Sequence, residues 1–98
     1  MKYRSKTEIL RSRTEIVGCI LDAAANGGGA TKTKIMYIAF LSYNQLNEYL
    51  SILIEYNLIE YIDWTQTFKT TEKGLNYLKM HNKMGELLKQ TTTQVKND

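Results

Sequence analysis

Apolar residues recur at steps of three and four from Ile16 through Val17, Ile20 and Leu21 to Ala24. That spacing predicts a helix with one buried face. Ser12 and Glu15 stand at capping-box spacing and set its start. Residues 5–11 either extend this helix, with Ile9 and Leu10 as apolar contacts, or remain outside it. Asn26-Gly-Gly-Gly29 ends it, because consecutive glycines propagate a helix poorly and tolerate positive φ. The run lacks a preceding strand and a Gly-Lys-Ser/Thr ending, so it is not read as a phosphate-binding loop. A second helix is predicted from Lys32 to Ala39, capped by Thr31, with Ile35, Ile38 and Ala39 inward. Phe40-Leu41 reads as a tight apolar turn that closes this helix and the next onto one core.

A third helix begins at the Ser42 cap, with Gln45 completing a second capping box. Leu46, Tyr49, Leu50 and Leu53 share its inner face, with Ile54 at the edge. Asn44, Glu48, Ser51 and Glu55 share the outer one, with Gln45 and Asn47 on the flanks. Asn57 is a stop signal, since Asn is well tolerated in the left-handed position after a helix. Leu58 to Asp63 and Thr67 to Thr70 read as two strands joined by Trp64-Thr-Gln66. Such a ribbon is marginal alone and must pack on helices. Thr71 caps a last helix, which Leu75 and Leu78 anchor to the core. Its apolar stripe continues through Tyr77, Met80, His81, Met84, Leu87 and Leu88 to an end near Gln90. That extension exceeds what the domain needs, so a partner helix is expected to cover it. Gly85 weakens the extension by about 1 kcal/mol relative to Ala. Residues 91–98 are polar and expected to be disordered.

The chain of 98 residues suits one domain with one modest core. The organisation expected is a basic arm or helix extension over 1–11, a domain over 12–78, a helical extension over 79–90 and a tail over 91–98. No apolar run reaches the roughly 18–20 residues of a membrane span. Met1-Lys-Tyr-Arg-Ser-Lys is basic with no apolar segment after it, unlike a signal peptide. The formal net charge is only +3. Lys2, Arg4, Lys6, Arg11 and Arg13 nevertheless crowd the start against Glu8 alone, as a phosphate-binding arm or a solvated terminus. Cys19 has no internal disulfide partner and lies on the first helix's apolar stripe, where a core thiol in a reducing cytoplasm is expected. One His and one Cys, far apart, with no carboxylate pair, glycine fingerprint or metal-ligand spacing, argue against an enzyme, a cofactor or a metal.

The order helix, turn, helix, ribbon, helix is that of a winged helix-turn-helix. Leu41-Ser-Tyr-Asn-Gln-Leu-Asn-Glu-Tyr-Leu, Leu53-Ile-Glu-Tyr-Asn-Leu-Ile-Glu and Thr71-Glu-Lys-Gly-Leu most resemble the small archaeal winged-helix DNA-binding proteins, of the transcriptional-regulator or chromatin-associated kind. The resemblance spans roughly Thr14 to Leu88. It implies a mainly α fold with a small β-ribbon, and a long C-terminal helix that pairs with its twofold mate as an antiparallel coiled coil. Tyr77, Met80, His81, Met84, Leu87 and Leu88 would form that homodimer seam. His81 reads there as an inter-helix polar contact rather than a metal ligand.

By the same resemblance the third helix enters the major groove of double-stranded DNA. Ser42, Tyr43, Asn44, Asn47 and Ser51 are then the base and backbone contacts. Lys32 and Lys34 would clamp phosphates at the second helix's positive N-terminus. Thr65, Gln66 and Lys69 of the wing, with Arg11 and Arg13, would add further contacts. Trp64 either wedges against the DNA or folds back onto the helices, and the second is expected. The chain departs from its relatives in having Asn57 where most have Gly, a single wing cation, and a recognition helix with Glu48 and Glu55 but no Arg or Lys. Those two acids motivate an alternative, a protein-interaction module without strong DNA binding. The location expected is the cytoplasm, on the nucleoid.

Overall fold

The computed structural model describes residues 12–97. Four helices and a two-stranded ribbon follow in the order α1 (Arg13–Ala25), α2 (Lys32–Ala39), α3 (Tyr43–Glu55), β1 (Ile59–Ile62), β2 (Thr67–Thr70) and α4 (Glu72–Asn97). The caps explain the starts. Ser12 and Glu15 form a reciprocal box at 3.0 and 3.1 Å, and Ser42 and Gln45 form another at 2.9 and 3.2 Å. The Thr31 hydroxyl accepts from the Lys34 amide at 3.2 Å. Each such cap satisfies amides that a helix start leaves bare, worth about 1 kcal/mol.

The core lies where α1, α2, α3 and the ribbon converge. Ile20, Leu21, Ile35, Leu46 and Ile59 are fully enclosed, each contributing roughly 1.5–3 kcal/mol by leaving water. β1 and β2 pair antiparallel, with Ile59 opposite Thr70 and Tyr61 opposite Phe68. A single bridge, Ala30 to Phe68, adds a third strand position before α2. The buried Thr70 hydroxyl donates to the Leu21 carbonyl at 2.6 Å and ties β2 to α1. Among the described residues no helix is long and apolar enough to cross a membrane.

Both α2 and α3 end in Schellman turns without glycine. After α2, the Leu41 amide reaches the Met36 carbonyl at 3.1 Å while Phe40 takes φ 56°. After α3, the Leu58 amide reaches the Leu53 carbonyl at 2.8 Å while Asn57 takes φ 63°. In each case the apolar residue past the turn packs back on the helix that it closes. Asn57 suits the left-handed position and Phe40 does not.

Phe40 also overturns an expectation of burial, being 83% exposed. In the left-handed position its side chain projects away from the core that Leu41 enters. Ile38 is exposed as well, because Ile35 and Ala39, four apart, already define the inward face of α2. Phe40→Gly should therefore stabilise the fold by about 0.5–1 kcal/mol. Relief of left-handed strain, roughly 1–2 kcal/mol, exceeds glycine's entropy cost of about 0.5–1 kcal/mol. Thermal melting checks this, and a lowered midpoint would contradict it.

α4 docks through its first turn. The Thr71 hydroxyl accepts from the Gly74 amide at 3.0 Å and donates to the Asn57 carbonyl at 2.6 Å. Leu78 is buried, but Leu75, expected as an anchor, is exposed. Gly74 takes the contact instead, so close to Leu58 that no side chain fits between them. His81 lies against Gly18 of α1 and stacks on Tyr77 at 6.1 Å. The helix runs to Asn97, past Gln90 and through the tail expected to be disordered. That stretch holds no Gly or Pro, and adding a residue to a formed helix costs far less than starting one.

Candidate nucleic-acid interface

The N-termini of α2 and α3 meet through side chains. Lys32 extends its ammonium over the Tyr43 ring, 4.9 Å from the centroid. A cation so placed is attracted by the ring's negative face. The Tyr43 hydroxyl is held below the usual phenol range, first by a side-chain hydrogen bond with Asn47 and then by the Lys32 ammonium. Tyr43 and Asn47 lie one turn apart on α3, so both face the same neighbour on α2.

Around this cluster lie groups free for a polyanion. Lys34 is exposed on the first turn of α2, which carries no acidic residue. Helix N-termini present unpaired amides and a partial positive charge, which favours phosphate. The Ser42 oxygen accepts from the Gln45 amide, leaving its hydroxyl proton available. The Gln45 side-chain oxygen Oε1 is taken up by the Ser42 amide. Asn44 and Ser51 are exposed on the outer line of α3, interleaved with Glu48 and Glu55. That line can donate to and accept from base edges but has no charge with which to grip phosphate.

The remaining residues lie apart from this cluster. Arg13 is exposed at the start of α1, and Arg11 lies outside the described residues. Lys69 is exposed on β2 directly opposite Glu60, which offsets its charge. The wing turn is pinned by the Gln66 amide on the Asp63 carbonyl at 3.2 Å and by Thr65 and Thr67 hydroxyls 2.7 Å apart. Trp64 stands at its tip, 86% exposed. The expectation that it folds back onto the helices is therefore corrected. The turn directs it outward, and the Tyr61–Phe68 ring contact at 4.9 Å is made within the ribbon without it.

The winged helix-turn-helix family model matches residues 10–89. The chain belongs to this family. A winged helix-turn-helix is a DNA-binding type of domain, and here α2 and α3 form its helix-turn-helix and β1–β2 its wing. No curated protein matches the chain. Within the winged-helix frame, the sequence reasoning did not mark Tyr37 and Phe40 as the most exposed aromatics beside Trp64. Tyr37 was legible from spacing alone, since it lies two residues from Ile35 and Ala39 and so opposite the face they bury. Phe40 was not, because its exposure follows from the left-handed turn.

Proposed function

We propose that this winged-helix protein binds double-stranded DNA as a homodimer and acts as a transcriptional regulator or a DNA-coating protein, without catalysis, in the cytoplasm on the nucleoid. The cluster of Lys32, Tyr43 and Asn47 carries the reading. It couples the cationic start of α2 to the start of α3, the part of a recognition helix that enters the major groove. Lys32 and Lys34 hold phosphates on either side of that insertion. Asn44, Asn47 and Ser51 meet base edges, where Asn pairs bidentately with adenine. Glu48 accepts from cytosine amino groups and disfavours other bases. Affinity then comes mainly from phosphates, with moderate sequence preference. Saturable binding of a random-sequence duplex at low salt, followed by anisotropy, is the direct test.

The dimer rests on α4. Met80 and Met84 are 68% and 59% exposed on the stripe that continues past the domain. They border a cleft of about 480 Å³ between α4 and the start of α1, lined also by Glu15, Tyr77, His81 and Leu88. Tyr77 and His81 face α1 of the same chain, so the seam is centred on the methionines and the residues beyond them. Met84→Lys should convert the dimer to monomer in sedimentation. An unchanged dimer would place the interface elsewhere.

A second reading is favoured by the acids of α3 together with Tyr37 and Phe40, both 83% exposed. In it the domain docks a protein, and DNA binds weakly or not at all.

A further inference from the structure

We propose that Trp64 stacks on DNA bases as an apolar wedge, making the wing a reader of base-step deformability rather than of phosphate. The inference rests on the DNA-binding reading above and extends it to the wing. Trp64 is exposed over 86% of its surface at the tip of the ribbon. The turn that carries it is closed by a hydrogen bond across the residue, from the Gln66 amide to the Asp63 carbonyl, and by a second just after it, between the Thr65 and Thr67 hydroxyls. Gln66 adopts φ 55°, the left-handed conformation that lets the chain reverse into β2. The turn thus presents the indole outward at the tip of the ribbon.

The ribbon's charge decides what it can contact. From Ile59 to Thr70 it carries Lys69 against Glu60 and Asp63, and Lys69 stands directly opposite Glu60. A ribbon of net negative charge gains nothing by lying along phosphates. Its useful contact is the indole plane, which every base can stack on regardless of sequence. Apolar side chains that enter between base pairs unstack them and kink the duplex. The cost is lowest at pyrimidine–purine steps and highest in stiff A-tracts. Preference at such steps arises without hydrogen bonds to bases.

Trp64 is the chain's one tryptophan, so tryptophan emission reports the surroundings of this residue alone. The full-length protein is titrated with duplexes carrying a central TA step or an A-tract, reading anisotropy of the labelled DNA and tryptophan emission together. Quenched emission, protection from acrylamide and tighter binding of the TA duplex are expected. Trp64→Ala should bind the TA duplex roughly tenfold more weakly. Its salt dependence should be unchanged because no charge is lost, and Trp64→Phe should retain most of the affinity. Trp64 contributes little to packing, so both variants keep the fold. DNA binding with unaltered emission would overturn the proposal while leaving DNA binding intact. An emission change on protein self-association without DNA would also overturn it, by assigning Trp64 to a protein contact. Absence of any DNA binding would remove the DNA-binding reading itself, and this inference with it.

Discussion

Gly74→Ala should cost about 3 kcal/mol and lower the melting midpoint by on the order of 15 °C. A Cβ at this position would collide with the Leu58 carbonyl oxygen and stand 2.6 Å from the Thr70 side chain. The neighbours cannot withdraw cheaply. The Leu58 carbonyl already accepts from the Thr71 amide at 3.1 Å. The Thr71 hydroxyl is held between Asn57 and Gly74. Moving α4 outward would break these bonds and pull Leu78 from the core. Gly85→Ala is the control, because nothing lies within 4 Å of its would-be Cβ. With nothing of its own chain in reach, that change should stabilise the helix by roughly 1 kcal/mol through propensity alone. Opposite signs for the two substitutions support docking through Gly74. A Gly74→Ala protein that melts with the parent would refute it.

The second large effect is on DNA. Lys32→Ala with Lys34→Ala should weaken binding to every sequence, with the salt-dependent part of the loss the same for all. If each lysine neutralises one phosphate, the slope of log affinity against log salt becomes shallower by about 1.8 for each protomer's pair. Lys34→Ala alone should change it by about 0.9 per protomer. Lys32 has an additional role, since its ammonium lies over Tyr43, 4.9 Å from the ring centroid. Its loss also frees Tyr43 and Asn47 from a fixed pose, so Lys32→Ala should cost more than Lys34→Ala at any one salt concentration. Competition titrations with random and selected duplexes check both points. A loss confined to one sequence with an unaltered slope would contradict the clamp.

The helix starts, and the stops of the first three helices, were legible because they are local chemistry, whereas the end of α4 was not. Ser12 with Glu15, Thr31, and Ser42 with Gln45 mark their helices by side chains that reach only three residues along the chain. Asn57 marks a stop by its tolerance of the left-handed backbone. Burial was less legible, since it depends on which distant segment arrives. Leu75 has helical spacing suited to a core contact, yet the close approach of Leu58 is to Gly74, and Leu75 is left outside. Phe40 and Trp64 are apolar by composition and exposed through their turns. The Ala30–Phe68 bridge has no periodic signal, being a single residue wide. For the interface, Lys32, Tyr43 and Asn47 each stood out as separate candidates in the sequence. Their meeting in one cluster depends on the angle that the Phe40–Leu41 turn imposes between α2 and α3, which spacing does not encode.

The most direct test of the central claim is fluorescence anisotropy of a labelled random-sequence duplex across a salt series. If Lys32 and Lys34 of two protomers each neutralise one phosphate, the slope of log affinity against log salt is about −3.6. Saturable binding at low salt with a steep negative slope is the predicted result. No binding even at about 50 mM salt, where such contacts are strong, would contradict it. The acidic face of α3 would then be the deciding feature, and a protein the partner to seek.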